Sequence, residues 1–403
     1  MAVPSRFLET ELQIASSFTS TPIGPSLGEA LAKAGLPSGV GFVQYSQVTQ
    51  YLLSVDVETI AGTLALVRIE DWLRDALKSR PALSEISQQE IRETLRVRTD
   101  DFLKHLAALS GRGKQVWLLV CPSKGWIAER HRLQILLQTH TNLLLARARS
   151  LPQVTVLEWP AAGWPGEIED RSADRLGQIP FTQEAFDRLG ALLGERIART
   201  WKQETRTVAP QTNSSEALAE YLRNLRVQVT LAPALPQDRA HVDRLLRTVA
   251  SITLTGEQRD LDDAQLDRLS STRECLLASV SDRLAEYGFT GLVAYRVEEH
   301  DMVVDSMSVS CAVLGKQVEY AIIAALAQVA AEQGLTKLVF EYRPAARNQA
   351  TETFLKSFAD AAPGMKFIVP VVEADDRIRK ATVAAGTWTL DFGTCAMQSG
   401  RAF

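Results

Sequence analysis

Short apolar runs alternate with longer stretches of helical spacing through the first half of the chain. Residues 12–17, 40–43, 63–69, 115–121 and 154–157 are bounded apolar or alternating runs that predict strands. Between them, 87–109 and 127–148 repeat apolar residues at three- and four-residue intervals and predict helices. Strands separated by helices predict βαβ units and a mainly parallel sheet, with functional groups at the strand C-terminal ends. Three places therefore draw attention: Ser16-Ser17-Phe18-Thr19, Arg68-Ile69-Glu70-Asp71-Trp72 and Cys121-Pro122-Ser123-Lys124.

The pattern changes near residue 205. A polar stretch with Pro210 predicts a linker over 206–214, separating a domain of residues 1–205 from one of 215–403. Ser214 or Ser215 is placed to cap the next helix, ahead of Glu216. Residues 225–231 alternate as a strand, 238–249 as a helix, and strands follow near 275–280 and 291–297. Residues 305–310 read as a strand and 318–331 as an apolar helix, joined by the turn Leu314-Gly315-Lys316. A second strand at 337–342 leads to a helix opened by Asn348, and a strand at 387–392 completes the sheet. A strand-to-helix turn directs backbone N–H groups and the positive end of the helix dipole at one point, which suits a pyrophosphate.

Composition sets outer limits. A chain of 403 residues, 46% hydrophobic and 23% charged, buries two ordinary cores. The net charge of −4 supplies no basic field for nucleic acid. No apolar run approaches the roughly 20 residues of a membrane span, and the first residues lack a leader's apolar core. Cys121, Cys275, Cys311 and Cys395 are widely spaced and form no metal motif. These features predict a reduced, cytoplasmic protein without membrane, nucleic-acid or metal partners.

The residues Asp305, Ser310, Cys311, Val313, Gly315, Val318 and Glu319 resemble the C-terminal domain of FkbH-like proteins, which handle glyceryl units on acyl carrier proteins in polyketide pathways. More broadly they resemble the GNAT acyltransferases. Ala312 departs from the family's arginine, and Gln317 from its small residue. The first 200 residues are similar to the N-terminal FkbH-like domain, which is related to SGNH hydrolases. Its phrases are matched by Ser17-Phe18-Thr19, Tyr45-Ser46-Gln47-Val48, Val67-Arg68-Ile69-Glu70-Asp71-Trp72 and Gly177-Gln178-Ile179-Pro180-Phe181-Thr182. The family's phosphatase domain has no counterpart: the only similar string, Asp260-Leu261-Asp262-Asp263, reads as a helix start. The fold class implied is α/β, an SGNH/flavodoxin-like parallel sheet followed by a GNAT-like α/β domain.

That resemblance implies a site. Val309, Val313, Leu314, Gly315, Lys316, Gln317, Val318 and Asn348 would contact CoA or the phosphopantetheine arm of a carrier protein. Gln317 crowds a diphosphate, so the single phosphate of a protein-borne arm is tolerated better. Cys311 stands next to a helix N-terminus, where the dipole favours a thiolate able to exchange acyl groups; the alternative is a small buried apolar residue. Asp305 faces either the acyl site or a structural hydrogen bond, and Leu355 replaces the GNAT tyrosine that protonates the leaving thiolate.

Three functions follow. The first is an acyltransferase moving an acyl group to or from a phosphopantetheine thioester in polyketide or nonribosomal peptide biosynthesis. The second is a non-catalytic scaffold that binds an acyl or peptidyl carrier protein. The third is an esterase using Ser17 or Ser20, opposed by Gln178 at the histidine position. Arg130, Arg132, Arg147 and Arg149 form either a steering face for an acidic carrier protein or an ordinary solvated helix face.

Overall fold

The apolar runs of the first half become one parallel sheet. The computed structural model describes residues 11–44, 47–78, 88–122, 131–160, 164, 167–201, 214–247, 252–254, 275–345, 348–383 and 387–392. The chain divides into two compact units, 1–218 and 219–403. In the first, the order is β1 (Glu11–Ser16), α1 (Gly24–Lys33), β2 (Val40–Phe42), α2 (Val48–Ser54), β3 (Ile60–Arg68), α3 (Asp71–Lys78) and α4 (Gln88–Ser110). It continues with β4 (Val116–Cys121), α5 (His131–Ala148), β5 (Val154–Leu157), α6 (Arg171–Gly177) and α7 (Gln183–Thr200). The strands lie in the order β2-β1-β3-β4-β5, all parallel. Leu64 and Leu66 join one core with Trp117 and Phe186, while Ala65 and Val67 join the other with Leu95 and Leu118. Both sheet faces are covered, which is why these strands read as continuous apolar runs.

The second unit is a mixed sheet. After α8 (Ser214–Leu225), which spans the division, come β6 (Val227–Pro233), α9 (Arg239–Arg247), β7 (Ile252–Thr253), β8 (Cys275–Ser281), β9 (Glu286–Glu298) and β10 (Asp301–Val309). Then follow α10 (Val318–Glu332), β11 (Lys337–Glu341), α11 (Gln349–Lys356), β12 (Asp360–Ala362), β13 (Lys366–Pro370), α12 (Val371–Ala381) and β14 (Trp388–Phe392). The order is β12-β13-β11-β10-β9-β8-β6-β14, with β14 parallel to β6 at the edge.

One irregularity positions the site. β10 and β11 pair in parallel only from Asp301–Lys337 to Val304–Phe340. The β9–β10 register then shifts between Val304 and Ser306, leaving Asp305 as the bulge residue. Past the bulge β10 has no β11 residue opposite it, and its last two residues, Ser308 and Val309, pair antiparallel with Thr253 and Ile252 of β7. Among the described residues no helix is long and apolar enough to cross a membrane, and no cluster of three or more His, Cys, Asp and Glu is arranged to hold a metal.

Candidate functional site

β1 and β3 end side by side where the strand order reverses, the place at which a doubly wound sheet admits a ligand. Charged side chains fill it. Arg68, 3% exposed, donates from Nη1 and Nη2 to the Asp174 carboxylate at 3.0 and 2.8 Å, and from Nε and Nη2 to Asp71 Oδ1 at 3.0 and 2.7 Å. Arg74 Nη2 adds a 2.7 Å bond to Asp174 Oδ1. Burial pushes the Asp174 carboxyl up, but Arg68 and Arg74 outweigh it and hold the group below the usual carboxylate range. Glu70, 1% exposed, is the remaining ionisable group: Oε1 lies 3.3 Å from Arg68 Nε and neither oxygen has a hydrogen-bond partner among the described residues. Burial pushes its carboxyl up to about 7 against the pull of Arg68.

Ser17 is held within this network. Its hydroxyl donates to Asp71 Oδ2 at 2.7 Å and accepts from the Arg68 backbone N–H at 2.9 Å. Removing the hydroxyl proton would set an alkoxide against a carboxylate at that distance, and among the described residues no imidazole is hydrogen-bonded to Ser17. Gln178 serves a different purpose. It ends α6 in the left-handed region, φ 57°, with its N–H turned back to Asp174 O and its carbonyl accepting from Thr19 N–H. Ser20 and Cys121 are buried, and burial pushes the Cys121 thiol up, keeping it protonated. Ser123 and Lys124 lie outside the described residues, as do Tyr45 and Ser46. Other residues of the phrases that carry the resemblance pack or cap: Phe18 meets Phe181 edge-on at 5.6 Å, and Thr182 caps α7 by accepting the Ala185 N–H.

The second strand end lies between β10 and α10. Val309, Val313, Leu314 and Val318 are buried, Gly315 adopts φ 71° and Gln317 φ 64°. The backbone of Cys311 lies in a short 3₁₀ turn, Cys311–Val313, and its side chain is outside the described set. The N–H groups that would form an anion seat are in part already used: Val313 donates to Ser310 O, Ala312 to Ser310 Oγ and Lys316 to Val313 O. The side chains turn inward. Lys316, 4% exposed, places Nζ 2.7 Å from Asp282 Oδ2 and bonds Tyr287 Oη. Gln317 Oε1 accepts from Thr387 Oγ1 at 2.8 Å, with both residues buried. The Glu319 carboxyl, in the first turn of α10, is pushed up to about 7 by burial.

Asp305 points into a partly exposed ionic cluster, where Arg296 reaches it at 3.3 Å and Glu341 at 3.0 Å. Asn348 is fully buried, bonded to main chain and to one side-chain hydroxyl. Its Oδ1 accepts from Ala345 N–H at 2.7 Å and Tyr342 Oη at 3.1 Å. Its Nδ2 donates to Arg343 O at 2.8 Å, Thr253 O at 3.3 Å and Leu254 O at 3.4 Å. Arg343 N–H donates to Leu254 O at 2.9 Å, and Thr253 N–H to Thr351 Oγ1 at 3.0 Å. The chain segment Ile252–Leu254 thus joins the end of β10 on one side to Arg343, Asn348 and Thr351 on the other.

This slot is where the resemblance puts the cofactor's amide arm, and the residues present do not fit it. Releasing the segment exposes Ile252 and Leu254, 5% and 1% exposed, at about 1.5–3 kcal/mol each. It also breaks hydrogen bonds worth about 1 kcal/mol apiece. The sum, on the order of 7 kcal/mol, exceeds the few kcal/mol that separate the two states of a gate. Ile252-Thr253-Leu254 carries the alternation of a strand but is too short to stand out in sequence. The Arg74–Asp174 pair had no sequence signal at all.

No protein-family model matches the chain, and no curated protein matches it. Among solved structures, the N-terminal part of BF1531 from Bacteroides fragilis, containing a phosphatase domain complexed with Mg, is similar at 12% identity over 47% of this chain and 52% of that one, TM-score 0.36. This chain therefore spans about half the length of that structure. The GNAT domain of S. lividans PAT is 16% identical over 35% of this chain and 89% of its own, TM-score 0.29. Diaminobutyrate acetyltransferase EctA from Paenibacillus lautus, solved with L-2,4-diaminobutyric acid and coenzyme A, is 14% identical over 32% of this chain and 75% of its own, TM-score 0.25.

Proposed function

We propose that the protein is a non-catalytic scaffold that binds an acyl or peptidyl carrier protein in polyketide or nonribosomal peptide assembly. The observation that carries this reading is the turn before α10. Its cation, Lys316, is buried on Asp282, the Gln317 side chain is sealed by Thr387, and the Ala312, Val313 and Lys316 N–H groups are already used, so neither polar side chain of the turn is turned toward a diphosphate. Ser17 fits the same reading, its hydroxyl tied to Asp71 with no imidazole bonded to it among the described residues. The carrier protein as partner rests on the resemblance of both domains to FkbH-like phrases. Its acidic surface suits basic residues, although Arg147 of α5 is spent on Asp100, and Arg130 and the Arg132 side chain lie outside the described residues.

Acyl transfer from CoA or a carrier-borne arm is the reading against which this is tested. Binding of apo- and holo-carrier protein is compared by calorimetry, and transfer is followed by intact-protein mass spectrometry with acyl-loaded carrier. A scaffold binds both forms with equal affinity and moves no acyl group. A tenfold preference for the holo form, together with acyl transfer, returns the protein to the acyltransferases, and a Cys311→Ala variant then decides whether a covalent adduct forms on that residue.

A further inference from the structure

We infer that Ile252–Leu254 is a built-in occupant of the β10–β11 slot, a stretch of the protein's own amides standing where an extended diamide such as pantetheine would lie. Beyond the bulge at Asp305, β10 offers the main chain of Ser308 and Val309 as an unpaired strand edge, and β7 takes it antiparallel. An edge of this kind recognises extended amides through main-chain hydrogen bonds, whatever their source. On the far side the Asn348 amide donates to the Thr253 and Leu254 carbonyls, the Arg343 N–H to Leu254 O, and Thr351 Oγ1 accepts the Thr253 N–H. The slot therefore contacts its occupant along both edges.

The occupant is anchored rather than resting in place. Ile252 and Leu254, on either side of Thr253, are both buried. Asn348, with no exposed surface, has its donors turned onto main chain and its acceptor onto the Ala345 N–H and the Tyr342 hydroxyl. The segment is covalently part of the chain and occupies the slot at an effective concentration that a diffusing ligand does not match. Exclusion of pantetheine is thus a property of this segment, distinct from the substitutions at Ala312 and Gln317. It does not depend on carrier-protein recognition, which is measured separately with the apo-carrier.

Hydrogen exchange on the full-length protein, with and without pantetheine or acetyl-CoA, tests this directly. The Thr253 and Leu254 amides are expected to be protected and unchanged by either compound, with no shift in melting temperature. Faster exchange at these amides on adding either compound, or a melting shift that Asn348→Ala abolishes, overturns the inference. In a second arm, Leu254→Ala removes the buried anchor while leaving Asn348 in place. It is expected to raise exchange across the segment and to increase pantetheine affinity at least tenfold over wild type. If the segment opens in this variant without any gain in pantetheine affinity, the segment is not what excludes the ligand. Should the variant not fold, the wild-type exchange result stands as the decisive measurement.

Discussion

At the end of β3, charged side chains hold one another in the space where a doubly wound sheet leaves room for a ligand. At the end of β10, three residues of main chain take the corresponding space. The first closure consists of matched ions, Arg68 and Arg74 against Asp71 and Asp174, with Glu70 left over. The second consists of a strand edge, an asparagine hub and two apolar anchors. Both occlude a strand end, but they respond differently to perturbation. Ionic closure is lost abruptly when one partner goes, because its counterpart is stranded in a dry site. A main-chain closure weakens in steps as contacts are removed.

The largest expected effect probes the ionic closure. Asp174→Ala leaves Arg68 and Arg74 short of a counter-charge at sites 3% and 8% exposed and should cost the N-terminal unit about 3–5 kcal/mol in urea unfolding. A loss below about 1 kcal/mol would show that the network is hydrated and the comparison wrong. Next, Leu254→Ala in the main-chain closure should cost about 2–4 kcal/mol, seen as an earlier transition of the C-terminal unit with the N-terminal transition unmoved.

Acidity separates the two regions further. Glu70, its carboxyl pushed up to about 7 by burial, holds its proton in the folded state up to that pH and releases it near 4.5 when unfolded. Stability is therefore unaffected below the unfolded value, falls as pH rises from about 4.5 to 7, and levels off above. Glu70→Gln should remove a decline of roughly 3 kcal/mol, read as a flatter curve of stability against pH across that window. Glu319→Gln should do the same in the C-terminal unit, since burial pushes that carboxyl up to about 7 as well. An unchanged pH profile in either variant would mean that the carboxyl is solvated. The smallest effect is that of Ser17→Ala, about 1 kcal/mol from two hydrogen bonds. Turnover of a chromogenic acetate should remain at background in both wild type and variant; a wild-type activity lost in the variant would restore the esterase reading.

The α/β class, the five parallel strands of the first half and the strand-turn-helix passage into α10 were legible in the chain, because periodicity reports which face of a local element is buried. The candidate positions were legible too, as the ends of strands. What those positions do was not. Arg68 and Asp174 are 106 residues apart, and Thr253 and Asn348 are 95 apart. No local pattern encodes such pairings.

The same division runs through single residues. Gln317 stands out in sequence as a bulky side chain in a glycine-like turn, and the structure gives it φ 64° with its amide turned to Thr387. Gln178 stands out as a missing histidine, and the structure makes it a helix cap. Sequence alone determined which residues sit at strand ends, since that follows from residue type and spacing. Only the tertiary structure decided that both strand ends are filled by the protein itself, since charge matching and strand pairing depend on distances between segments remote in the chain.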